Sequence, residues 1–164
     1  MDNNSKTNIL ILYRTKYGST EQYARWIAED VRADLFKIDN FDTTQFEQYS
    51  RIIIGSPTYM GKIQISNFLK KYWDILKTKQ VFLFNTGLFP GESPESKKSF
   101  ELIPAHIREH IEYIKLPGKI DMKKLKFTEK MIARLVKTDN PDKISKDQIG
   151  PITDWAKKSD ISVR

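Results

Sequence analysis

Strand-length apolar runs that alternate with helical segments constrain the fold of this chain most strongly. The runs ILILY at residues 9–13 and RIIIG at residues 51–55 are apolar without alternation, which is typical of strands buried on both faces of a parallel sheet. Strands of this kind are joined by right-handed crossovers, which place helices on both faces. The sequence therefore predicts an α/β fold, a doubly wound five-stranded parallel sheet of order 2-1-3-4-5. The remaining strands are expected in DLFKID, QVFLFN and EYIKL.

Apolar residues spaced at three and four predict the helices between these strands. Residues 20–33 carry such a face, with Ser19 or Thr20 as the expected N-cap. Residues 66–77 predict a second continuous helix. Residues 56–64, between RIIIG and that helix, contain proline and glycine and predict a loop.

The second half of the chain predicts shorter elements. A helix is expected over residues 96–102, and Pro104 interrupts it. Residues 122–136 place lysines and apolar residues at helical spacing and predict a longer helix. Ser145 and Gln148 form the pattern S-x-x-Q, which indicates a capping box at the start of a last helix.

The length of 164 residues fits a single domain. We expect one domain over residues 9–160, after a flexible N-terminal lead-in at residues 1–8, because no repeat or linker divides the chain. The longest apolar runs are far shorter than the roughly 20 residues that span a bilayer, and the polar start has no signal-peptide core. The expected location is the cytoplasm, and peripheral attachment to the inner face of the membrane stays open.

The absence of cysteine excludes several kinds of chemistry. Thiol nucleophiles, disulfide redox pairs and cysteine-ligated metal clusters all need that side chain. Redox chemistry in this chain would therefore come from an organic cofactor. The formal net charge of +7 predicts attraction to acidic partners or anionic lipid. No recognition motif accompanies that charge, so nucleic acid is not an expected partner.

Hydroxyl-rich loops follow the first and third predicted strands. In a sheet of this order, ligands bind beyond the carboxyl ends of the strands, at the switch between strands one and three. The loop TKYGST, residues 15–20, offers hydroxyls, a glycine for a tight turn and a helix N-terminus directly behind it. These features suit a phosphate group. The alternative is that Ser19 and Thr20 only cap the helix and Gly18 only turns the chain.

The loop SPTYMG, residues 56–61, suits a flat aromatic ligand. Tyr59 offers a ring for stacking, Ser56 and Thr58 offer hydroxyls, and Gly61 permits close approach of the backbone. The alternative is a proline-containing turn whose tyrosine packs on the following helix. A phosphate loop beside an aromatic platform predicts a mononucleotide site.

Other nucleotide and metal motifs do not occur in the sequence. Neither G-x-x-x-x-G-K-[ST] nor G-x-G-x-x-G is present. A receiver domain shares the expected fold but needs acidic residues where this chain has Arg14 and Ser56. His106 and His110 lack the adjoining glutamate of a zinc-protease helix, so no metal site is predicted.

The loop of residues 15–20 resembles the phosphate loop of the flavodoxin family, which has the form [ST]-x-[ST]-G-x-T. It departs from that form at Tyr17, where the family has Ser or Thr. SPTYMG is similar to the family's flavin-stacking loop, and Asn85 begins a stretch that falls where the family's remaining flavin loop lies. The resemblance covers nearly the whole chain from Ile9. It implies noncovalently bound FMN and an FMN-binding redox protein that transfers electrons through the flavin.

The resemblance also implies the cofactor-binding residues, in three segments. The first segment would contact the phosphate, the second would flank the flavin ring, and the third would meet the pyrimidine edge of the ring. The segments are Thr15, Lys16, Tyr17, Gly18, Ser19 and Thr20; then Ser56, Pro57, Thr58, Tyr59, Met60 and Gly61; and finally Asn85, Thr86, Gly87 and Leu88. Phe89 is expected to pack nearby.

The C-terminal part of the sequence resembles short flavodoxin-domain proteins that are grouped with the bacterial quinone-linked protoporphyrinogen dehydrogenases. That resemblance implies an alternative function, a quinone-linked flavin dehydrogenase peripheral to the membrane. The partner would be a redox protein or a quinone. The basic segment, residues 119–137, would rest on an anionic membrane surface. The alternative for this segment is a helix that covers the sheet and exposes its lysines to water.

Overall fold

The computed structural model describes residues 7–119 and 144–158, and its centre is a parallel sheet. The strands are β1 (Ile9–Tyr13), β2 (Asp34–Lys37), β3 (Arg51–Tyr59), β4 (Lys62–Ile63), β5 (Gln80–Gly87) and β6 (Ile111–Pro117). Five of them are parallel in the order β2-β1-β3-β5-β6, and the short β4 pairs antiparallel with the end of β3. Without β4 this is the predicted order 2-1-3-4-5, so the predicted fold class is confirmed.

Helices connect the strands on both faces of the sheet. They are α1 (Ser19–Val31), α2 (Ser66–Lys71), α3 (Trp73–Leu76), α4 (Pro94–Glu101), α5 (Ala105–Arg108) and α6 (Gly150–Lys157). Three segments of the described ranges are 3-10 helices: Ile38–Asn40, Thr43–Gln48 and Lys146–Ile149. The predicted helix at 122–136, and the basic segment apart from Lys119, lie outside the described residues. Within the described ranges, no helix has both the length and the apolar character that a bilayer crossing requires.

Alternate residues of the central strands supply two hydrophobic cores, one on each face of the sheet. Leu10 and Ile52 point to the core that contains α2, α3 and α5, while Ile11 and Ile53 point to the core that contains α1 and α6. All four side chains are fully buried. Both faces of each central strand are therefore covered, as predicted, and this explains why the sequences of these strands are apolar without alternation.

The strand β3 is longer than predicted. It was expected to end at Gly55 with a loop over residues 56–64, but it continues to Tyr59 and returns through β4 as a hairpin. Tyr59 pairs with Lys62, so the hairpin loop is two residues, Met60 (φ 50) and Gly61 (φ 73). A two-residue loop with both φ angles positive matches the right-handed twist of the paired strands. This pairing is what extends the strand.

The start of α1 also differs from the prediction. Gly18 is the N-cap, in a left-handed conformation (φ 93), and no side chain caps the helix. Ser19 and Thr20, the predicted caps, lie inside the first turn with their hydroxyl groups bonded to other parts of the chain, to Lys119 and Thr86 respectively. Those long-range hydrogen bonds remove the two hydroxyl groups from the capping role.

The helix predicted over residues 66–77 is divided in two at Tyr72, whose backbone (φ −105, ψ 14) leaves the helical region. The Tyr72 ring packs against the rings of Phe68 and Phe46, with centroid distances of 4.8 and 6.0 Å. Tertiary packing of this aromatic group outweighs the local helical preference.

The capping box predicted at Ser145 and Gln148 is present, with both of its hydrogen bonds formed. It opens the 3-10 segment Lys146–Ile149, and the chain changes to α-helix at Gly150. Pro151 lies in the first turn of α6, where a missing N–H removes no intrahelical hydrogen bond. The Gly150-Pro151 pair therefore separates two short helical segments.

Gly55 lies where β3 passes the buried ring of Phe84, and a Cβ atom at this position would overlap that ring. Phe84 is fully buried and packs edge-on against Tyr23, so its ring has no free space to move into. We expect Gly55→Ala to lower the free energy of unfolding by about 1–3 kcal/mol, measured by urea denaturation.

Gly150→Ala is the matched control, because Gly150 is helical (φ −47, ψ −51) and a Cβ there would meet no atom within 4 Å. This variant should be neutral or more stable by up to about 1 kcal/mol. Equal destabilisation of the two variants would contradict the packing explanation.

Candidate functional site

A cavity of about 350 Å³ lies beyond the carboxyl ends of the central strands. Its walls come from the loop after β1, the end of β3 and its hairpin, the end of β5, and the end of β6. Of the sixteen residues predicted for the site, twelve line this cavity and four do not. The four that do not are Thr15, Gly18, Ser56 and Asn85, of which only Ser56 and Asn85 are buried. The edge of the sheet predicted for a ligand is therefore the edge at which the structure has a cavity.

The loop after β1 is shaped by contacts within itself. The Oγ1 atom of Thr15 accepts a hydrogen bond from the backbone N–H of Gly18, at 3.1 Å, and Gly18 turns the chain into α1. Lys16 and Tyr17 project from the turn into the cavity lining. The amides of the first turn of a helix have no intrahelical partner and carry the positive end of the helix dipole. This part of the cavity can therefore bind an anion.

The hydroxyl groups of Ser19 and Thr20 line the same wall but are used inside the protein. Ser19 Oγ accepts the backbone N–H of Lys119 at 2.6 Å, and Thr20 Oγ1 lies 2.8 Å from Thr86 Oγ1 in a buried pair. These bonds connect α1 to the end of β6 and to the end of β5. The anion-binding capacity of the wall therefore comes mainly from backbone amides and from Lys16, and the hydroxyls fix the position of the wall.

The hairpin of β3 and β4 supplies an aromatic wall. The Lys16 ammonium lies over the Tyr59 ring, 3.0 Å from its centroid, which is a cation–π contact. Pro57 and Thr58 precede Tyr59 in the lining, and Met60 at the hairpin tip is 64% exposed. Ser99 of α4 donates a hydrogen bond to the Gly61 carbonyl at 3.0 Å and holds the tip against α4.

Asn85 stands behind the cavity and organises its floor. Its side chain is fully buried, and its Nδ2 donates to the Ser56 carbonyl at 2.9 Å. Its Oδ1 accepts from Thr58 Oγ1 at 2.6 Å and from Lys115 Nζ at 2.7 Å. Ser56 is equally buried, with its hydroxyl accepting the Ile65 N–H. Both residues therefore position the groups that do line the cavity.

Lys115 is a lining residue that the sequence interpretation missed. It lies on β6 in register with Asn85, and its Nζ donates to Thr58 Oγ1 at 3.0 Å as well as to Asn85. Desolvation by burial lowers the pKa of Lys115 from its ordinary value of 10.5 to about 8. The available signal was a lysine inside EYIKL, an otherwise mostly apolar strand. The other missed lining residues are Glu95, Ser96, Ser99, Gly118 and Lys119.

Two glycines allow the ends of β5 and β6 to come close together. The Gly118 N–H donates to the Gly87 carbonyl at 2.9 Å, and a Cβ on Gly118 would lie 3.0 Å from the Gly87 nitrogen. A Cβ on Gly87 would lie 2.7 Å from Lys115 Nζ. Larger residues at either position would displace the lysine or separate the two strand ends. Thr86 and Leu88 flank Gly87 in the lining, and Phe89 follows them.

A family model described as flavodoxin domain matches residues 10–147. That match covers most of the chain, and the chain belongs to the flavodoxin domain family.

The individual relatives are more distant. An uncharacterised protein of Methanocaldococcus jannaschii is 40% identical over 84 residues, which are 49% of this chain and 55% of that protein. The chain thus matches about half the length of this relative. The solved Trp repressor binding protein of Bacillus subtilis has a TM-score of 0.51 at 16% identity, over 80% of this chain and 99% of that one. A solved archaeal flavodoxin has a TM-score of 0.49 at 20% identity, over 80% and 100% respectively.

The depressed pKa of Lys115 predicts a specific dependence of stability on pH. The unfolded chain keeps this proton up to about pH 10.5 and the folded, ligand-free protein only up to about pH 8. Between these values the unfolded state binds more protons, so stability rises with pH. We expect the free energy of unfolding of wild type, relative to Lys115→Met, to rise by about 1–2 kcal/mol between pH 7.5 and 9.5.

Urea denaturation at several pH values measures this difference. Lys70→Met is the matched control, because Lys70 is exposed on α2 and its ammonium stays in water in both states. The stability of this control should follow that of wild type across the range. A constant difference between wild type and Lys115→Met would show that burial does not shift this lysine.

Proposed function

We propose that the protein binds FMN noncovalently in the cavity and acts as a redox protein that transfers electrons through the flavin. One observation carries the proposal: in a member of the flavodoxin domain family, an anion-binding turn and an aromatic wall share one cavity of about 350 Å³ at the carboxyl edge of the sheet. That volume lies within the range of small-molecule and cofactor sites.

The phosphate of FMN would be held at the loop after β1. The first-turn amides of α1 and the ammonium of Lys16 supply hydrogen-bond donors and positive charge. Tyr17 contributes its backbone position to this turn, since its side chain is not the small hydroxyl residue of the flavodoxin pattern. The hydrogen bond between Thr15 and Gly18 fixes the shape of this turn.

The ring of FMN would lie between the hairpin and the floor of the cavity. The Lys16 ammonium lies over the Tyr59 ring in the structure, and its movement to the phosphate would leave that face of Tyr59 for stacking on the flavin ring. On the floor, Thr86 and Gly87 present backbone groups at the end of β5, and Lys115 presents a cation. When bound, the flavin supplies the electron-transfer chemistry that a chain without cysteine lacks. The protein's own residues bind it, orient it and limit its contact with water.

A comparison of FMN with riboflavin, which lacks the phosphate, tests the two halves of the site separately. We expect the fluorescence of FMN to be quenched on binding, with saturation at one equivalent of FMN. FMN should bind about 100-fold or more tightly than riboflavin, because riboflavin lacks the phosphate and the charge-assisted hydrogen bonds that it would accept. Tyr59→Ala should weaken both ligands by about the same factor, roughly 10-fold to 100-fold, because ring stacking is common to both.

Flavin fluorescence titration of the purified protein provides these constants, and circular dichroism checks that Tyr59→Ala remains folded. A protein that leaves FMN fluorescence unchanged would overturn the proposal. If Tyr59→Ala weakened FMN and left riboflavin unaffected, Tyr59 would not be the stacking wall.

The second candidate is a quinone-linked flavin dehydrogenase of the protoporphyrinogen dehydrogenase type, peripheral to the membrane. It is favoured by the net charge of +7 and by the lysine-rich sequence of the basic segment, which would bring the protein to an anionic surface where quinones are found. In the first candidate the electrons would instead pass to or from a partner protein with an acidic docking surface. Both candidates use the same FMN site.

Vesicle binding and quinone reduction distinguish the two candidates. If the protein is the dehydrogenase, we expect it to sediment with vesicles that contain anionic lipid. Each lysine near such a surface contributes about 1 kcal/mol to binding. Vesicle binding should therefore fall at least tenfold when glutamine replaces Lys123, Lys124, Lys126 and Lys130. The reduced, FMN-loaded protein should also pass its electrons to a water-soluble quinone in a stopped-flow measurement. Absence of both effects at low salt would exclude the dehydrogenase and leave the carrier.

A further inference from the structure

Among the described residues that line the cavity, positively charged side chains outnumber negatively charged ones. Three lysines, Lys16, Lys115 and Lys119, contribute to the lining, whereas Glu95 is the one carboxylate among the described lining residues. Glu95 is exposed in the first turn of α4. Lys115 differs from the other two lysines because it rises from a strand in the floor and is partly buried there. The cavity therefore contains a fixed positive charge at its floor.

The position of the Lys115 ammonium is fixed by two neutral acceptors. Asn85 Oδ1 lies at 2.7 Å and Thr58 Oγ1 at 3.0 Å, and Asn85 is itself held by its bond to the Ser56 carbonyl. A lysine ammonium has three N–H donors. No other hydrogen-bond acceptor or carboxylate partner of Lys115 is found within residues 7–119 and 144–158. One donor and the whole positive charge are therefore available to a ligand in the cavity.

The position of Lys115 also indicates which part of a bound flavin its charge would meet. Lys115 contacts Asn85, and its Nζ would lie 2.7 Å from a Cβ on Gly87. Asn85 and Gly87 belong to the segment that would meet the pyrimidine edge of a bound flavin. This edge carries the ring's carbonyl oxygens, and it is where negative charge accumulates on reduction. A charge near this edge is one of the means by which proteins tune a flavin.

We propose that the positive charge of Lys115, in the part of the site that would hold the flavin ring, makes reduced FMN bind more tightly than oxidised FMN. This inference rests on the proposed FMN function and adds to it a specific residue and a direction. Reduction of the ring takes up two electrons, and when one proton accompanies them the ring gains one negative charge. In the experiment below, dithionite supplies both electrons and is oxidised to sulfite, and water supplies the proton.

Lys115 would give this site the opposite electrostatic character to that of an acidic electron carrier, whose carboxylates disfavour the anionic reduced flavin. The charge of Lys115 acts at short range and partly out of water, where an ion pair is much stronger than at the protein surface. The remaining surface lysines act through water and salt, over a screening length of about 8 Å, and have little effect on the ring. The preference therefore depends on one side chain and not on the net charge.

The test is the ratio of two dissociation constants, for oxidised and for dithionite-reduced FMN, measured anaerobically at the same pH by titration of the ligand-free protein. Wild type should bind the reduced form more tightly. In Lys115→Met this ratio should fall by about tenfold or more, because the cation is removed and the shape of the side chain is largely kept. Lys115→Gln should show the same fall in this ratio, and it replaces Lys115→Met in the test if that variant does not fold.

Lys70→Met is the control for a general effect of charge, since it removes one lysine from the exposed surface of α2. Its ratio should equal that of wild type. If wild type binds FMN and the Lys115 variants keep the wild-type ratio, the inference about Lys115 is overturned while the proposed function stands. If wild type binds neither form of FMN, both are overturned. A loss of affinity that is equal for the two forms would identify Lys115 as a packing residue and would also overturn the inference.

Discussion

The buried amide of Asn85 joins the carboxyl ends of three neighbouring strands, and the candidate site depends on this connection. Its nitrogen donates to the backbone of β3 at Ser56, and its oxygen accepts from Thr58 on the same strand and from Lys115 on β6. An amide buried this deeply is costly if its hydrogen bonds are unmade, so all three partners are held in place together. The floor of the cavity is consequently joined to all three strands by these hydrogen bonds.

Placing a lysine in that floor opposes the stability of the fold. Desolvation disfavours the charged form of Lys115, and its two hydrogen-bond partners are neutral groups that only partly replace water. A hydrophobic residue would fit the local pattern of β6 better, since Tyr113, two residues earlier on the same face of the strand, packs against the core. Such conflicts between a local rule and the fold tend to occur at functional sites. An anion in the cavity would offset part of this desolvation cost.

Most of the fold, and the edge of the sheet at which the cavity lies, could be predicted from the sequence, because both follow from where apolar runs end. The features that were missed depend on tertiary contacts. The extension of β3 to Tyr59 requires pairing with β4, and the break at Tyr72 follows aromatic packing. Ser19 is not a cap because Lys119, a hundred residues away, uses its hydroxyl. The position of Lys115 in the cavity lining could not be predicted, because the sequence pattern of a strand does not show which polar residue faces a cavity.

The helix α1 also holds both ends of the segment between residues 119 and 144. Tyr23 Oη lies 2.9 Å from the Pro117 carbonyl and 2.7 Å from Gln148 Oε1, and Ser19 binds Lys119. Residues far apart in the sequence, before position 120 and after position 143, are thus held beside the same helix. The entropic cost of holding two points of a chain together changes only slowly with the number of residues between them. The number of residues between these two points could therefore change at little cost to the contacts that α1 makes.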